Sequence, residues 1–291
     1  KILKEKIFDN IWIQPASGDA GGSLGAALAY WYLEKKNKRK LNLDDDMQGS
    51  YLGPKYSNNE IEKSLDKIGA KFEVFDDEEL LDITANYLSK GLAIGWFQGR
   101  AEFGPRALGA RSILADPRST NMQKNLNLKV KFRESFRPFA PSIIQEDLED
   151  WFEMKEESPY MLFVSKLNKK KIIKMNKKDN DLFGIEKLNI KRSEIPAVTH
   201  VDYSARIQTV NIENNKYYKL LKKFKEITNC PILVNTSFNV RGEPIVNTPT
   251  EAFKCFMGTK LDRLVIGDFY LTKEDQNIKS INDYRQNFEL D

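Results

Sequence analysis

The chain has 291 residues, 41% of them apolar and 30% charged, enough to bury a sizeable core in one large or two modest domains. Its 46 basic and 42 acidic residues leave a formal net charge of +4, a near cancellation that does not demand a nucleic-acid partner. No apolar run is long enough to span a bilayer, and the lone histidine, His200, excludes a mechanism that needs two imidazoles from this chain alone.

Two cysteines, Cys230 and Cys255, lack a partner motif and read as reduced, packed thiols. The N-terminal Lys-Ile-Leu-Lys-Glu-Lys has no signal-peptide pattern, so the expectation is a cytoplasmic protein away from the membrane.

In chain order, residues 10–15 read as a short strand. A glycine-rich turn, Ala16-Ser-Gly-Asp-Ala-Gly-Gly-Ser23, follows, and then a helix over 24–36. Such a turn can wrap a phosphate or serve only strand-to-helix packing. The polar stretch 37–49 marks a composition shift and the best domain boundary. Beyond it the pattern predicts a helix over 59–68, a strand over 71–75, a helix over 78–90 stopped by Gly91, and a buried strand over 92–97.

That strand feeds the most informative segment, Gly99 to Arg118, which sets Arg100, Arg106, Arg111 and Arg118 among three glycines and two prolines. Glycines allow close backbone approach and arginines offer planar donor forks, so the segment reads as an anion-binding loop. A helix over 121–130, an extended 132–144 with Pro138 and Pro141, a short acidic helix over 146–154 and a strand over 160–167 come next. The lysine-rich run 168–180 reads as a solvated or disordered excursion.

Strand residues occupy 198–210, and Tyr217, Leu220, Leu221, Phe224 and Ile227 fall on one helical face. A short strand over 231–234 would deliver Asn235-Thr-Ser237 with Asn239 and Arg241 at its carboxyl end, where open α/β sheets bind ligands. Thr248-Pro249-Thr-Glu251 is a capping box ahead of a helix over 252–257, and 264–271 closes with a strand. Short strands alternating with helices imply an α/β or α+β domain with a mixed sheet.

Three further segments place donors beside apolar strand residues: Lys129 to Pro138, His200 to Arg206, and Asn235 to Arg241. Convergent cations with hydroxyls and amides suit a triphosphate or an acyl phosphate, and no activated Ser or Cys nucleophile is apparent. The chemistry implied is transfer at an anhydride, driven by positioning and charge neutralisation.

The ordered segments Gly99-Arg-x-Glu-Phe-Gly-Pro-Arg-Ala-Leu-Gly-x-Arg-Ser-Ile, Phe136-Arg-Pro-Phe-Ala-Pro, His200-Val-Asp-x-Ser-Ala-Arg and Val234-Asn-Thr-Ser-Phe-Asn resemble the NodU/CmcH-type O-carbamoyltransferases over roughly residues 10–272. The resemblance implies an actin-like (ASKHA) ATPase-type domain, of which 1–45 would be the C-terminal remnant, and a YrdC-like carbamoyltransferase C-terminal domain over 46–291. It implies that carbamoyl phosphate and ATP, with Mg2+, form carbamoyl-adenylate, whose carbamoyl group passes to a hydroxyl of a small acceptor. Arg106, Lys131 and Arg137 would be catalytic, and the same three with Arg206, Asn235 and Ser237 would bind substrate.

Asp19 resembles the last ligand of a metal site in the actin-like domain, completed by upstream histidines that this chain does not contain. That site would take iron or another divalent metal in the full-length protein. The expected partners are the substrates and the upstream actin-like domain of the same polypeptide, with a homodimer allowed and no nucleic acid. A non-catalytic RNA-binding YrdC-like module and a synthase adenylating a related carbamate are the alternatives. Residues 169–178 depart from the family pattern as an insertion without an inferred role.

Overall fold

The computed structural model describes residues 2–5, 7–9, 11–40, 45–188, 190–276, 284 and 288. Asn10 in the expected first strand, and 41–44 at the expected domain boundary, lie outside the described residues.

Nine strands form one mixed sheet: β1 (Glu73–Val74), β2 (Ile94–Phe97), β3 (Arg111–Ala115), β4 (Ala140–Ile144), β5 (Phe163–Lys166), β6 (Ser204–Val210), β7 (Ile232–Ser237), β8 (Arg263–Ile266) and β9 (Phe269–Thr272). Their order is β1-β9-β8-β2-β3-β7-β4-β6-β5. The β2–β8 and β4–β6 pairs are parallel and the other neighbours antiparallel. The expected mixed α/β sheet is therefore present. Its centre reads as short apolar runs because every residue of β2, β3 and β4 is buried.

Six helices matter to the argument: α1 (Asp19–Ala29), α2 (Asn58–Lys67), α3 (Asp77–Ser89), α4 (Met122–Lys129), α5 (Asn215–Thr228) and α6 (Pro249–Gly258). Local chemistry sets their ends. Ser57 with Glu60 and Thr248 with Glu251 form reciprocal capping boxes at α2 and α6. Gly91, at φ +84°, follows the α3 C-cap, and Asn229 closes α5 in the left-handed region at φ +58°. α5 packs on α3, burying Tyr217, Leu220, Leu221 and Phe224, but Ile227 is exposed.

Several expectations are corrected. Residues 11–14 carry no regular structure instead of a strand, and Pro15 begins a turn. The helix over 24–36 starts earlier, at Asp19, and passes into a π-helical turn over Tyr30–Glu34. α1 buries none of its side chains, and Trp12, Trp31 and Leu33 are exposed. The second half of the arginine segment is not loop but the buried central strand β3. Only 140–144 of the extended stretch is strand, because Gln123 and Asn127 on α4 donate to the carbonyls of Ser135, Phe136 and Arg137 and fold 131–139 into a compact turn.

The acidic helix shortens to a 3-10 turn over Gln145–Asp147 and one α-turn over Leu148–Trp151. The lysine run is solvated, with no buried residue over 169–179, and it begins in order rather than disorder: Lys171 lies 3.9 Å from the Trp151 ring centroid and 3.2 Å from Glu194, and Ile172 bridges to Ser193. The single closing strand is a hairpin, β8–β9, turned at Gly267 with φ +58°.

Candidate anion-binding site

The four arginines of the loop separate into holders and a free donor. Arg111 is wholly buried at the start of β3; it donates to the carbonyls of Gln98, Gly99, Ala110 and Pro54, and its guanidinium lies 3.5 Å from the Phe97 ring centroid. Arg118 closes on Asp116 at 2.6 Å, and Arg100 donates to Gly53. Those three hold the fold. Arg106 is half-buried, belongs to no ion pair among the described residues, and has a buried Nε without a hydrogen-bond partner.

Fixed donors and acceptors shape the loop that carries Arg106. Glu102 Oε1 accepts the amide hydrogens of Leu108 (2.7 Å), Ala110 (2.8 Å) and Arg111 (3.3 Å). Trp96 Nε1 donates to Gly109, Gln208 donates to Leu108, and Asn235 donates to Ala107. Gly109 is required because φ there is +107° and a Cβ would come within 2.3 Å of the Tyr217 ring.

Arg206 on β6 lies within the field of Arg106, and the two like charges repel. Burial, then the field of Arg106, draws the Arg206 guanidinium down to about 10. Its buried Nε is also unpaired, and its Nη2 donates to Met161 Sδ at 3.9 Å. Two guanidiniums thus lie in each other's field, neither in an ion pair among the described residues, an arrangement that an anion relieves. His200 lies in the same field. Burial lowers its pKa, Asp202 opposes that, and Arg206 and Arg192 lower it further.

Lys131 occupies a second corner. Its ammonium is buried and donates to the carbonyl and Oγ of Ser237 and to the carbonyl and Oδ1 of Asn239. Burial, aided by Arg133, draws it down to about 7. Arg133 donates to Asn127 Oδ1 at 2.7 Å, Arg137 is exposed and paired with Glu134 at 2.8 Å, and Glu134 also lies 3.8 Å from Arg241. Asn239, singled out in sequence beside Ser237, thus takes part, whereas Arg133 and Glu102 are not among the expected site residues. The Lys131-Phe-Arg133 spacing is the sequence signal that could have found Arg133.

β7 joins the corners. Asn235 and Ser237 lie inside the strand rather than in a loop after it, two residues apart and hence on one face about 7 Å from each other. Asn235 holds the Arg106 loop and shares Gln208 Oε1 with Ser142, while Ser237 meets Lys131. All the expected site residues except Asp19 therefore group along β6 and β7 and the two turns that they hold. Arg137 is at the rim. A cleft of about 760 Å3 adjoins at Gln208, lined also by Tyr51, Tyr160, Asp45, Asn214 and Trp12.

Asp19 is exposed on α1, and among the described residues no group of three His, Cys, Asp or Glu side chains could hold a metal ion. The donor set thus offers no dedicated cage for magnesium or iron. Nor is any helix among the described residues long and apolar enough to cross a membrane.

Residues 85–273 match the family model described as "Carbamoyltransferase C-terminus". An uncharacterized protein of Synechocystis sp. is 52% identical over all of this chain and 48% of its own length. Nodulation protein NolO of Bradyrhizobium diazoefficiens is 38% identical over 96% of this chain and 47% of its own. Nodulation protein NolNO of Sinorhizobium fredii is 39% identical over 94% and 37%. The chain spans about half the length, or less, of these curated relatives. Full-length HypF, solved in a phosphate- and nucleotide-bound form, aligns at 17% identity over 64% of this chain and 21% of its own with a TM-score of 0.40, too distant to bear on the site.

Proposed function

The chain belongs to the carbamoyltransferase C-terminal family, and from that premise we propose that it is the part of an ATP-dependent O-carbamoyltransferase that makes carbamoyl-adenylate from carbamoyl phosphate and ATP. Formation of that mixed anhydride releases phosphate and pyrophosphate, with one water consumed in the balance. Both substrates and both released phosphates carry more than one negative charge, so the task for the protein is to gather and neutralise them.

The observation that carries this reading is that Arg106 and Arg206 lie in each other's field, each with a buried Nε that has no partner and neither in an ion pair among the described residues. Arg106 and Arg206 take phosphoryl oxygens. Lys131, with Ser237 and Asn239, takes a second anionic group, and Arg137 swings from Glu134 to meet it. Asn235 acts by holding the loop. The cleft beside Gln208 has room for a nucleoside, and Asp45 and Asn214 offer acceptors and donors to ribose hydroxyls. Magnesium enters as a companion of the ATP phosphates, because the described residues supply no cage of their own.

The carbamoyl group would then pass to a hydroxyl of a small acceptor in the longer protein. Residues 1–45 fit the end of a separate actin-like unit, since α1 buries no side chain and Trp31 and Leu33 are exposed. Isothermal titration tests the core of the reading: the folded chain binds ATP and carbamoyl phosphate, and Arg106→Ala weakens both at least tenfold. Absence of binding by folded protein would overturn it.

A further inference from the structure

We propose that Glu243, anchored by Tyr284, is a positioning residue for Lys131: its buried carboxylate helps to stabilise the charged ammonium, and its main-chain carbonyl fixes the amide that grips it. This rests on the reading of Lys131 as an anion-binding group.

All four direct acceptors of Lys131 are neutral: two carbonyls, a hydroxyl and an amide oxygen. A buried ammonium with neutral partners alone is costly, and a carboxylate nearby offsets that cost. Glu243 is that carboxylate. It is 8% exposed, and its field favours the charged form of Lys131. Its Oε2 accepts from Val240 N–H at 2.8 Å and its Oε1 accepts from the Tyr284 hydroxyl. Its main-chain carbonyl accepts from Asn239 Nδ2 at 2.6 Å. Asn239 is thereby fixed in one amide orientation, nitrogen to Glu243 and Oδ1 to Lys131.

The seat for Tyr284 is built into the fold. Gly258, in the last turn of α6, leaves space where a Cβ would come within 2.2 Å of the Tyr284 ring, and Phe288 packs edge-on against it at 5.3 Å. The other charged or titratable groups around the knot are Arg133, which opposes a charged Lys131, Cys255 on α6, and Lys273 after β9, which faces Cys255; Glu251 faces Tyr284. Burial pushes the Glu243 carboxyl up, while the Tyr284 and Val240 donors pull it back toward the ionised form. Tyr284 therefore helps to keep Glu243 charged, and Glu243 helps to keep Lys131 charged.

The test uses the full chain with inorganic pyrophosphate as the anion. Calorimetric affinity and the 13Cε shift of Lys131, assigned with Lys131→Met, are followed from pH 6 to 9 in wild type, Glu243→Gln and Tyr284→Phe. The wild type should lose affinity as Lys131 deprotonates. Glu243→Gln should move the Lys131 midpoint down by at least one pH unit, which lowers affinity about tenfold at pH above that midpoint. Tyr284→Phe should move it the same way by less, and it carries the test if Glu243→Gln does not fold. A Lys131 midpoint unmoved in the folded variants overturns the inference. Unaltered pyrophosphate affinity in Lys131→Met overturns instead the reading of Lys131 as an anion ligand, and leaves the midpoint test standing.

Discussion

The Asn235 side-chain amide on β7 donates to the carbonyl of Ala107 at 3.1 Å, so the sheet itself fixes the residue next to Arg106. The same nitrogen donates to Gln208 Oε1 at 2.8 Å, and Gln208 in turn donates to Leu108. The position of Arg106 is thus a property of two strands, β6 and β7, not of its own loop alone.

Asn235→Leu removes both donations inside a site that is 1% exposed. The Ala107 carbonyl is left without its side-chain donor, and the expected loss is about 1–3 kcal/mol of stability. Urea denaturation should show the midpoint falling with an unchanged slope, and ATP affinity should fall with it as Arg106 drifts. An unchanged midpoint would show that the anchor is dispensable.

Arg106→Ala should separate binding from folding. The side chain has no ion-pair partner among the described residues and repels Arg206, so its removal should leave stability within about 0.5 kcal/mol of wild type. Titration with ATP should nevertheless show at least a tenfold loss. A large drop in thermal midpoint would mean that Arg106 holds structure as Arg111 does.

Arg111→Lys is the opposite case. One ammonium cannot reach the four carbonyls that the guanidinium fork serves, nor stack flat on Phe97. Destabilisation of about 3 kcal/mol or more is expected by denaturant titration. A milder effect would show that water replaces the lost donors.

Stability should rise with pH on the alkaline side of neutrality. Burial holds Lys131 at about 7 and Lys273 at about 8, whereas both are ordinary ammonium groups, near ~10.4, in the unfolded chain. Between those limits the unfolded chain holds more protons, so the unfolding free energy increases with pH and levels off below pH 7. Lys131→Met should remove the part of the rise that begins near pH 7 and leave the part that begins near pH 8. Denaturation curves at pH 6 to 9.5 measure this, and an identical slope in the variant would contradict a depressed Lys131.

Much of the site could be read from residue type and spacing. Arg106 stood out because glycines and prolines around an arginine point to a shaped donor, and the Thr248-Pro249-Thr-Glu251 box named its own helix start. Burial was harder to read. Arg111 hides a central strand because its charge is absorbed by carbonyls that only the tertiary structure brings together, so Ser112 to Ala115 passed as loop. Lys131 reads as an open ligand in sequence, yet its ammonium is enclosed by a turn more than a hundred residues away. The β8–β9 hairpin merged into one strand because its turn needs only Gly267 and Asp268 between apolar runs. Residues 11–14 read as a strand from type alone, and no described strand pairs with them.

The arginine loop takes its tethers from the Trp96 indole, the Gln208 and Asn235 amides and its own Glu102 carboxylate, and so holds a single shape before any ligand arrives. Capture of an anion there needs no slow rearrangement. In stopped-flow mixing, ATP should associate in one exponential phase whose rate rises linearly with concentration. Added salt should slow that phase steeply while leaving its single-step form intact, because long-range attraction guides the encounter and the receptor is already in its final shape.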